Sequence, residues 1–450
     1  MPAWEFAEQR IKFCRIVSPQ TAHRNQAIRG LLISFRDIIS SQRQVLRDYL
    51  AAVSGSAGRL VFSLAYFVIL ANSLTIADFG LFATASAAGV MVGRILALGF
   101  TATLYRIATV KPRLLGTYAA GFLVLALASL PLIALASTVL YLVFFAGDLR
   151  VLPFALVIVS EAVAWRLTET VIVVNNGLNR FGRAATILIV SIAIRALAAF
   201  VFTFHTSQDL LNWTVFYLVA NIAALIFALL FYCPRQRLRL QTSLYLRRLP
   251  DALYVAGAEV LFYLQMELDK LLVLALGNPT LAGIYAIIMR LVDLTAIPIR
   301  SFSMLLVQRM MRSPEMLRSW ALRLGIEGGV FAVSVLALAT MATILAFYPT
   351  LLGSNVAEAA PLVILALAVP GLRNLTEYQA DLLFARGQTF LRAVNLGVLA
   401  AAKAALLSLV LKSFTETSDI VLSLNAVFAV LYLLSMVLTY RALAMPAKRV

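Results

Sequence analysis

Eighteen ionisable side chains fall inside stretches of the sequence that are otherwise apolar. Nine are basic (Arg59, Arg94, Arg166, Arg195, Lys270, Arg290, Arg300, Arg373 and Lys403) and nine are acidic (Glu161, Glu169, Glu259, Glu267, Asp269, Asp293, Glu327, Glu377 and Asp381). Against hydrocarbon each would cost roughly 2.5–3.5 kcal/mol, so they must pair, snorkel from span ends or line a wet interior. Spacing sorts them. Arg166 and Glu169, Glu267 and Lys270, and Arg290 and Asp293 lie three apart, and Arg373, Glu377 and Asp381 form a ladder in steps of four. Such groups are expected to compensate one another on a single helix face. Arg94, Arg195 and Lys403 have no partner at that spacing. Facing a cavity, they would favour an anionic cargo, and a guanidinium fork matches phosphate. The alternative is a carboxylate on a neighbouring helix, such as Glu161 or Glu259. Glu259, Asp269 and Asp381 could instead hold a coupling cation or proton, and Arg59 is expected to snorkel.

Catalytic chemistry is not indicated. The two histidines, His23 and His205, and the two cysteines, Cys14 and Cys233, form no cluster with metal-ligand spacing, and no phosphate-binding glycine loop of the Walker type occurs. The expectation is a protein that is not an enzyme, with no cofactor and no bound metal.

Composition indicates the scaffold that holds these charges. The chain has 450 residues, 62% hydrophobic and 13% charged, with a mean hydropathy of +0.91; this excludes a water-soluble domain and a disordered chain. Twelve apolar runs, at about 51–71, 79–104, 114–145, 151–174, 184–204, 211–232, 252–276, 281–307, 322–347, 359–383, 391–411 and 420–440, are read as transmembrane helices. Basic residues sort into alternate loops. One set runs from the N-terminal tail through Arg106, Arg113, Arg180, Arg183, the 233–250 connector and Arg386 to Lys448; the other holds only Arg150 and Lys412. That asymmetry predicts cytoplasmic termini and assigns the net charge of +17 to loops at an anionic membrane face, with no nucleic acid as partner. Ile28, Leu31, Leu32, Phe35, Ile38 and Ile39, interleaved with arginines, suggest a helix lying on that face. Trp213, Tyr348 and Tyr440 are placed as interfacial aromatics.

The connector divides the chain into six spans and six spans, and the halves are weakly similar. A shift of 203 aligns Gly80, Phe82 and Ala83 with Gly283, Tyr285 and Ala286, and a shift of 209 aligns Phe181 and Arg183 with Phe390 and Arg392. Arg195 and Lys403 nearly coincide, 208 apart. The expected organisation is a basic tail (1–49), an N-terminal lobe (50–232), a linker (233–250), a C-terminal lobe (251–441) and a short tail (442–450). Both lobes enter the membrane in the same sense, as in a carrier that rocks about a central cavity.

The stretch Met266-Glu267-Leu268-Asp269-Lys270-Leu271-Leu272, followed by Ala282-Gly283-Ile284-Tyr285-Ala286, resembles a pattern of polysaccharide biosynthesis membrane proteins; Ala77-Asp78-Phe79-Gly80-Leu81-Phe82-Ala83 looks like its counterpart in the first half. Phe384-Ala385-Arg386-Gly387-Gln388 to Asn395 is similar to the family's tenth-to-eleventh helix connection. The chain thus resembles a Wzx-type oligosaccharide-lipid flippase of the multidrug/oligosaccharidyl-lipid/polysaccharide exporter superfamily. The resemblance implies an all-α, V-shaped carrier of the bacterial inner membrane that moves an undecaprenyl-pyrophosphate-linked oligosaccharide by alternating access. Its partners would be membrane lipids and a polysaccharide polymerase and export proteins. It implies cavity cations that hold pyrophosphate, carried onto Arg94, Arg195 and Lys403, and then onto Arg290 and Arg300. A cation-coupled drug exporter and a non-transporting assembly subunit are the alternatives.

Overall fold

A computed structural model of the chain describes residues 58–312 and 320–445, apart from the side chains of 297–298, 300–301, 304–305, 307–312 and 320–321. The surface helix expected at 28–39 lies outside the described residues. Those described are helical, without a strand: α1 (Gly58–Ser73), α2 (Ile76–Gly93), α3 (Phe100–Val110), α4 (Leu115–Phe144), α5 (Val151–Gly177), α6 (Phe181–Phe202), α7 (Leu210–Tyr232), α8 (Thr242–Leu276), α9 (Pro279–Arg312), α10 (Trp320–Phe347), α11 (Ser354–Ala366), α12 (Val369–Ala385), α13 (Thr389–Ser413) and α14 (Thr417–Ala444). Among the described residues nine helices are long and apolar enough to cross a membrane, ten if α11 and α12, bent by 67°, form one broken span. Many outward-facing side chains are large and apolar, among them Leu127, Leu142, Phe204 and Leu230, as expected of a chain whose solvent is lipid. This is an all-α, multi-pass membrane protein.

The remaining expected spans map onto α1, described from Gly58 onward, and α8, whose four charges between Glu259 and Lys270 lower its apolar character. The second run is interrupted. Between α2 and α3, Ala97 (φ 57) and Leu98 (φ 51) adopt left-handed backbone, which costs a residue with a Cβ about 1–2 kcal/mol. Ser129 offsets part of this by accepting the Ala97 amide at 3.0 Å. Gly99 follows, and α8 lies so close that a Cβ there would fall 2.1 Å from the Ala252 carbonyl oxygen.

The two halves meet at the end of the bundle that is poor in basic residues, and they meet reciprocally. A Cβ on Gly80 would lie 2.4 Å from the Pro279 carbonyl oxygen, and one on Gly283 would lie 2.1 Å from that of Ile76. Both pairs are related by the shift of 203 seen in the sequence, so the contact is self-complementary, as across a two-fold axis. The caps repeat as well: Thr75 Oγ1 accepts the Asp78 amide at 3.1 Å and Asn278 Oδ1 accepts the Leu281 amide at 2.8 Å. Beside this crossing, Asn72 Nδ2 donates to the Leu352 carbonyl (2.8 Å) and Asn355 Nδ2 donates to those of Ala71 and Leu74 (each 2.7 Å). Trp213, expected at the interface, is fully buried beside Phe82 and Phe202; near-terminal sequence position did not reveal that α7 turns this ring inward.

Candidate functional site

A central cavity of about 300 Å³ lies between α1, α2, α5, α6 and α7 on one side and α8 and α9 on the other. Four cations line it, Arg59, Arg195, Lys270 and Arg290, with two carboxylates, Glu161 and Asp293. The middle of α5, Val159–Trp165, is wound as a π-helix. Such a wide turn displaces side chains from the regular face, and here it carries both Glu161 and Trp165, each of which lines the cavity.

Arg195 is half-buried. Its Nε and Nη2 donate to Asn221 Oδ1 at 3.0 and 2.6 Å, and its guanidinium lies 4.3 Å from the Trp165 ring centroid and 5.4 Å from that of Tyr217. It forms no ion pair among the described residues. Arg290 Nη2 donates to Ser63 Oγ at 2.5 Å and likewise has no carboxylate partner there. Glu161 is held by neutral donors, the hydroxyls of Tyr217 and Ser86, the latter at 2.8 Å. Two guanidinium groups, one from each half of the chain, thus reach a single cavity while hydrogen-bonded only to neutral oxygens. Such groups retain donors and net charge for an anion.

The expected self-compensation of Arg290 by Asp293 is not found. Asp293 lies 3.4 Å from Arg373 on α12, and Asp381 lies 3.6 Å from Arg392 on α13, so the 373–381 ladder is split between partners on other helices. Interhelical geometry outweighed the i, i+4 spacing. The two other local pairs do form: Arg166 to Glu169 at 2.8 Å and Lys270 to Glu267 at 2.5 Å.

Lys403 does not line the central cavity. It is 1% exposed, donates to the Gln265 carbonyl, lies 3.5 Å from Asp269 and sits 5.5 Å from the Phe428 ring. Asp269, also 1% exposed, accepts the Tyr285 hydroxyl at 2.7 Å. Asp269 and Tyr285 of the sequence pattern therefore join α8, α9 and α13 through a buried ion pair, leaving Asp269 poorly placed to take a coupling ion. Arg94 lies elsewhere. It lines a second cavity, of about 860 Å³, toward the basic end of the bundle, where it lies over the Tyr263 ring (3.9 Å) and pairs with Glu169 (3.0 Å). Glu169 continues to Arg166, and Arg166 to Glu259 at 2.9 Å. This chain of alternating charge links α2, α5 and α8 and occupies Glu259, the second acid considered for coupling. Arg300 lies on α9, and its side chain falls outside the described residues.

Two residues that spacing did not single out belong to the site. Asn221 orients Arg195, and Ser63 orients Arg290; an asparagine in the middle of the largely apolar α7 was the available signal for the first. Among the described residues no group of three or more His, Cys, Asp or Glu could hold a metal ion.

No protein-family model and no curated protein matches the sequence. Solved structures do match in shape. An inward-facing multidrug resistance MATE family transporter of the MOP superfamily aligns with a TM-score of 0.60 at 12% identity, over 87% of this chain and 96% of that one. A MOP superfamily transporter from Pyrococcus furiosus, described by the reverse polarity of its binding pocket, gives 0.58 at 14% identity over 89% and 96%. A variant of the Vibrio cholerae MATE transporter gives 0.57 at 14% over 89% and 96%. The chain therefore has the fold of the MATE transporters of the MOP superfamily.

Proposed function

We propose that this protein is an alternating-access carrier that translocates an undecaprenyl-pyrophosphate-linked oligosaccharide across the bacterial inner membrane, with the pyrophosphate held by Arg195 and Arg290 in the central cavity. The observation that carries the reading is the convergence of those two guanidinium groups, from opposite halves of the chain, on one cavity where their partners are the neutral Asn221 and Ser63. A diphosphate offers acceptors to both forks at once. A cavity of about 300 Å³ suits that group and little more, so the glycan would extend beyond it. With the basic loops at the cytoplasm, the Gly80–Gly283 crossing closes the opposite end and the larger cavity lies toward the cytoplasmic leaflet, from which the cargo would be loaded.

The drug-exporter alternative rests on Glu259, Asp269 and Asp381 as working groups, and each is ion-paired. Among proteins of this fold, the Pyrococcus furiosus transporter described by reversed pocket polarity offers a precedent for cavities that differ in charge. The test is binding of undecaprenyl pyrophosphate to the purified chain, together with lipid-linked glycan accumulation in the cytoplasmic leaflet of cells. Loss of one charge-assisted contact is worth ~1.5–3 kcal/mol, so Arg195→Ala and Arg290→Ala are each expected to weaken binding about 10- to 100-fold and to cause glycan to accumulate. Normal export with both arginines replaced would remove the reading.

A further inference from the structure

A third cavity, of about 390 Å³, opens between α3, α4, α5 and α7 near the basic end, and it shares no lining residue with the central one. Its walls are hydrocarbon, from Leu104, Phe122, Leu167, Val171 and Leu229 among others, and its lining includes Arg235 but no acidic residue. Leu123 and Leu229 line it while being about half exposed, so it opens on the surface that faces lipid. The roof is the start of the linker between the halves, which is fixed in place: Gln236 Oε1 accepts the Gly116 amide at 2.9 Å, and a Cβ on Gly116 would fall 2.3 Å from the Arg237 carbonyl oxygen. Tyr245 Oη donates to the Thr117 carbonyl at 2.8 Å.

An apolar chamber of this size lies within the ~300–1,000 Å³ range of ligand pockets. At its mouth stands an exposed arginine, with no carboxylate partner among the described residues, in a linker that also carries Arg237, Arg239, Arg247 and Arg248. We propose that this cavity binds one acyl chain of an anionic phospholipid of the surrounding leaflet, with the headgroup phosphate on Arg235, so that a membrane lipid braces the linker against the first half. Hydrocarbon walls fit the chain, and uncompensated positive charge at the rim selects a headgroup of net negative charge over a zwitterion.

The test uses the full chain, with Cys14→Ser so that Cys233, which also lines the cavity, is the remaining thiol. In nanodiscs of phosphatidylglycerol or phosphatidylcholine, native mass spectrometry is expected to find phosphatidylglycerol preferentially retained, and maleimide should modify Cys233 more slowly in the anionic lipid. An arginine at a membrane surface is worth ~1 kcal/mol, so Arg235→Gln should reduce retention about fivefold. Val171→Trp, which fills the chamber, should abolish it. Should that variant fail to fold, Arg235→Gln and the Cys233 rates decide alone. Equal retention of both lipids with no dependence on Arg235 would overturn the proposal. So would displacement of phosphatidylglycerol by undecaprenyl phosphate added to the nanodiscs, which would give the chamber to the cargo's tail.

Discussion

Arg195 and Lys403 occupy nearly equivalent places in the two halves of the chain and end in opposite surroundings. Arg195 lines a cavity and leans on an amide and two aromatic rings; Lys403 is sealed against Asp269. The repeat explains the difference. Under the shift of 203, Asp269, Lys270, Tyr285 and Asp293 correspond to Tyr66, Phe67, Phe82 and Val90, all of which line the central cavity. The second half supplies a carboxylate on the first helix of its lobe and consumes its cation in a buried pair. The first half supplies a phenol and leaves its cation available. Equivalent backbone positions therefore say little about function until the opposite helix is known.

The largest effect that would sharpen this contrast is on stability. Removing one member of a buried ion pair strands the other at a cost of ~3–5 kcal/mol, so Lys403→Ala is expected to lower the unfolding free energy by about that amount, measured by thermal unfolding in detergent. The double change Lys403→Met with Asp269→Leu should recover most of the loss; no recovery would mean that Lys403 acts through something other than Asp269. Next comes conversion of the first half into a likeness of the second. Tyr66→Asp places a carboxylate where Asp269 stands in the other half. It should weaken pyrophosphate-lipid binding by about the factor expected for Arg195→Ala, ~1.5–3 kcal/mol, whereas Tyr66→Asn should weaken it much less. Equal effects of both changes would break the comparison. Smallest is the test of where the halves remain alike. Overpacking costs ~1–3 kcal/mol, and Gly80→Ala and Gly283→Ala should destabilise the folded chain by similar amounts, because each Cβ meets the equivalent backbone carbonyl of the other half. Unequal losses would show that the crossing is less symmetric than its contacts.

Much of the architecture was legible in the residues. Apolar runs located the helices, and the 203-residue shift paired Gly80 with Gly283, although the reciprocal crossing that requires glycine at both positions showed only in the structure. The breaks were harder to see: Ala97 and Leu98 carry no local mark of a left-handed backbone, and Ser129, which helps to hold the turn, is distant in sequence. The site was half legible. Residue type identified Arg195 and Arg290 as cations in apolar surroundings. Spacing misled for Arg290, because Asp293 three residues on is drawn to Arg373 across a helix interface. It said nothing of Asn221 or Ser63, whose roles depend on which neighbours they face.

By itself the sequence determined that this protein lives in a membrane, how its helices are ordered, and that its buried charges must be satisfied, because hydrocarbon tolerates neither open backbone nor lone ions. Which charge meets which was decided only in three dimensions. Hydrogen bonds and salt bridges form only at contact distance, and whether a cation finds a carboxylate or an amide depends on helices that are far apart in the chain. That selection left Arg195 and Arg290 facing a shared cavity and closed Lys403 away.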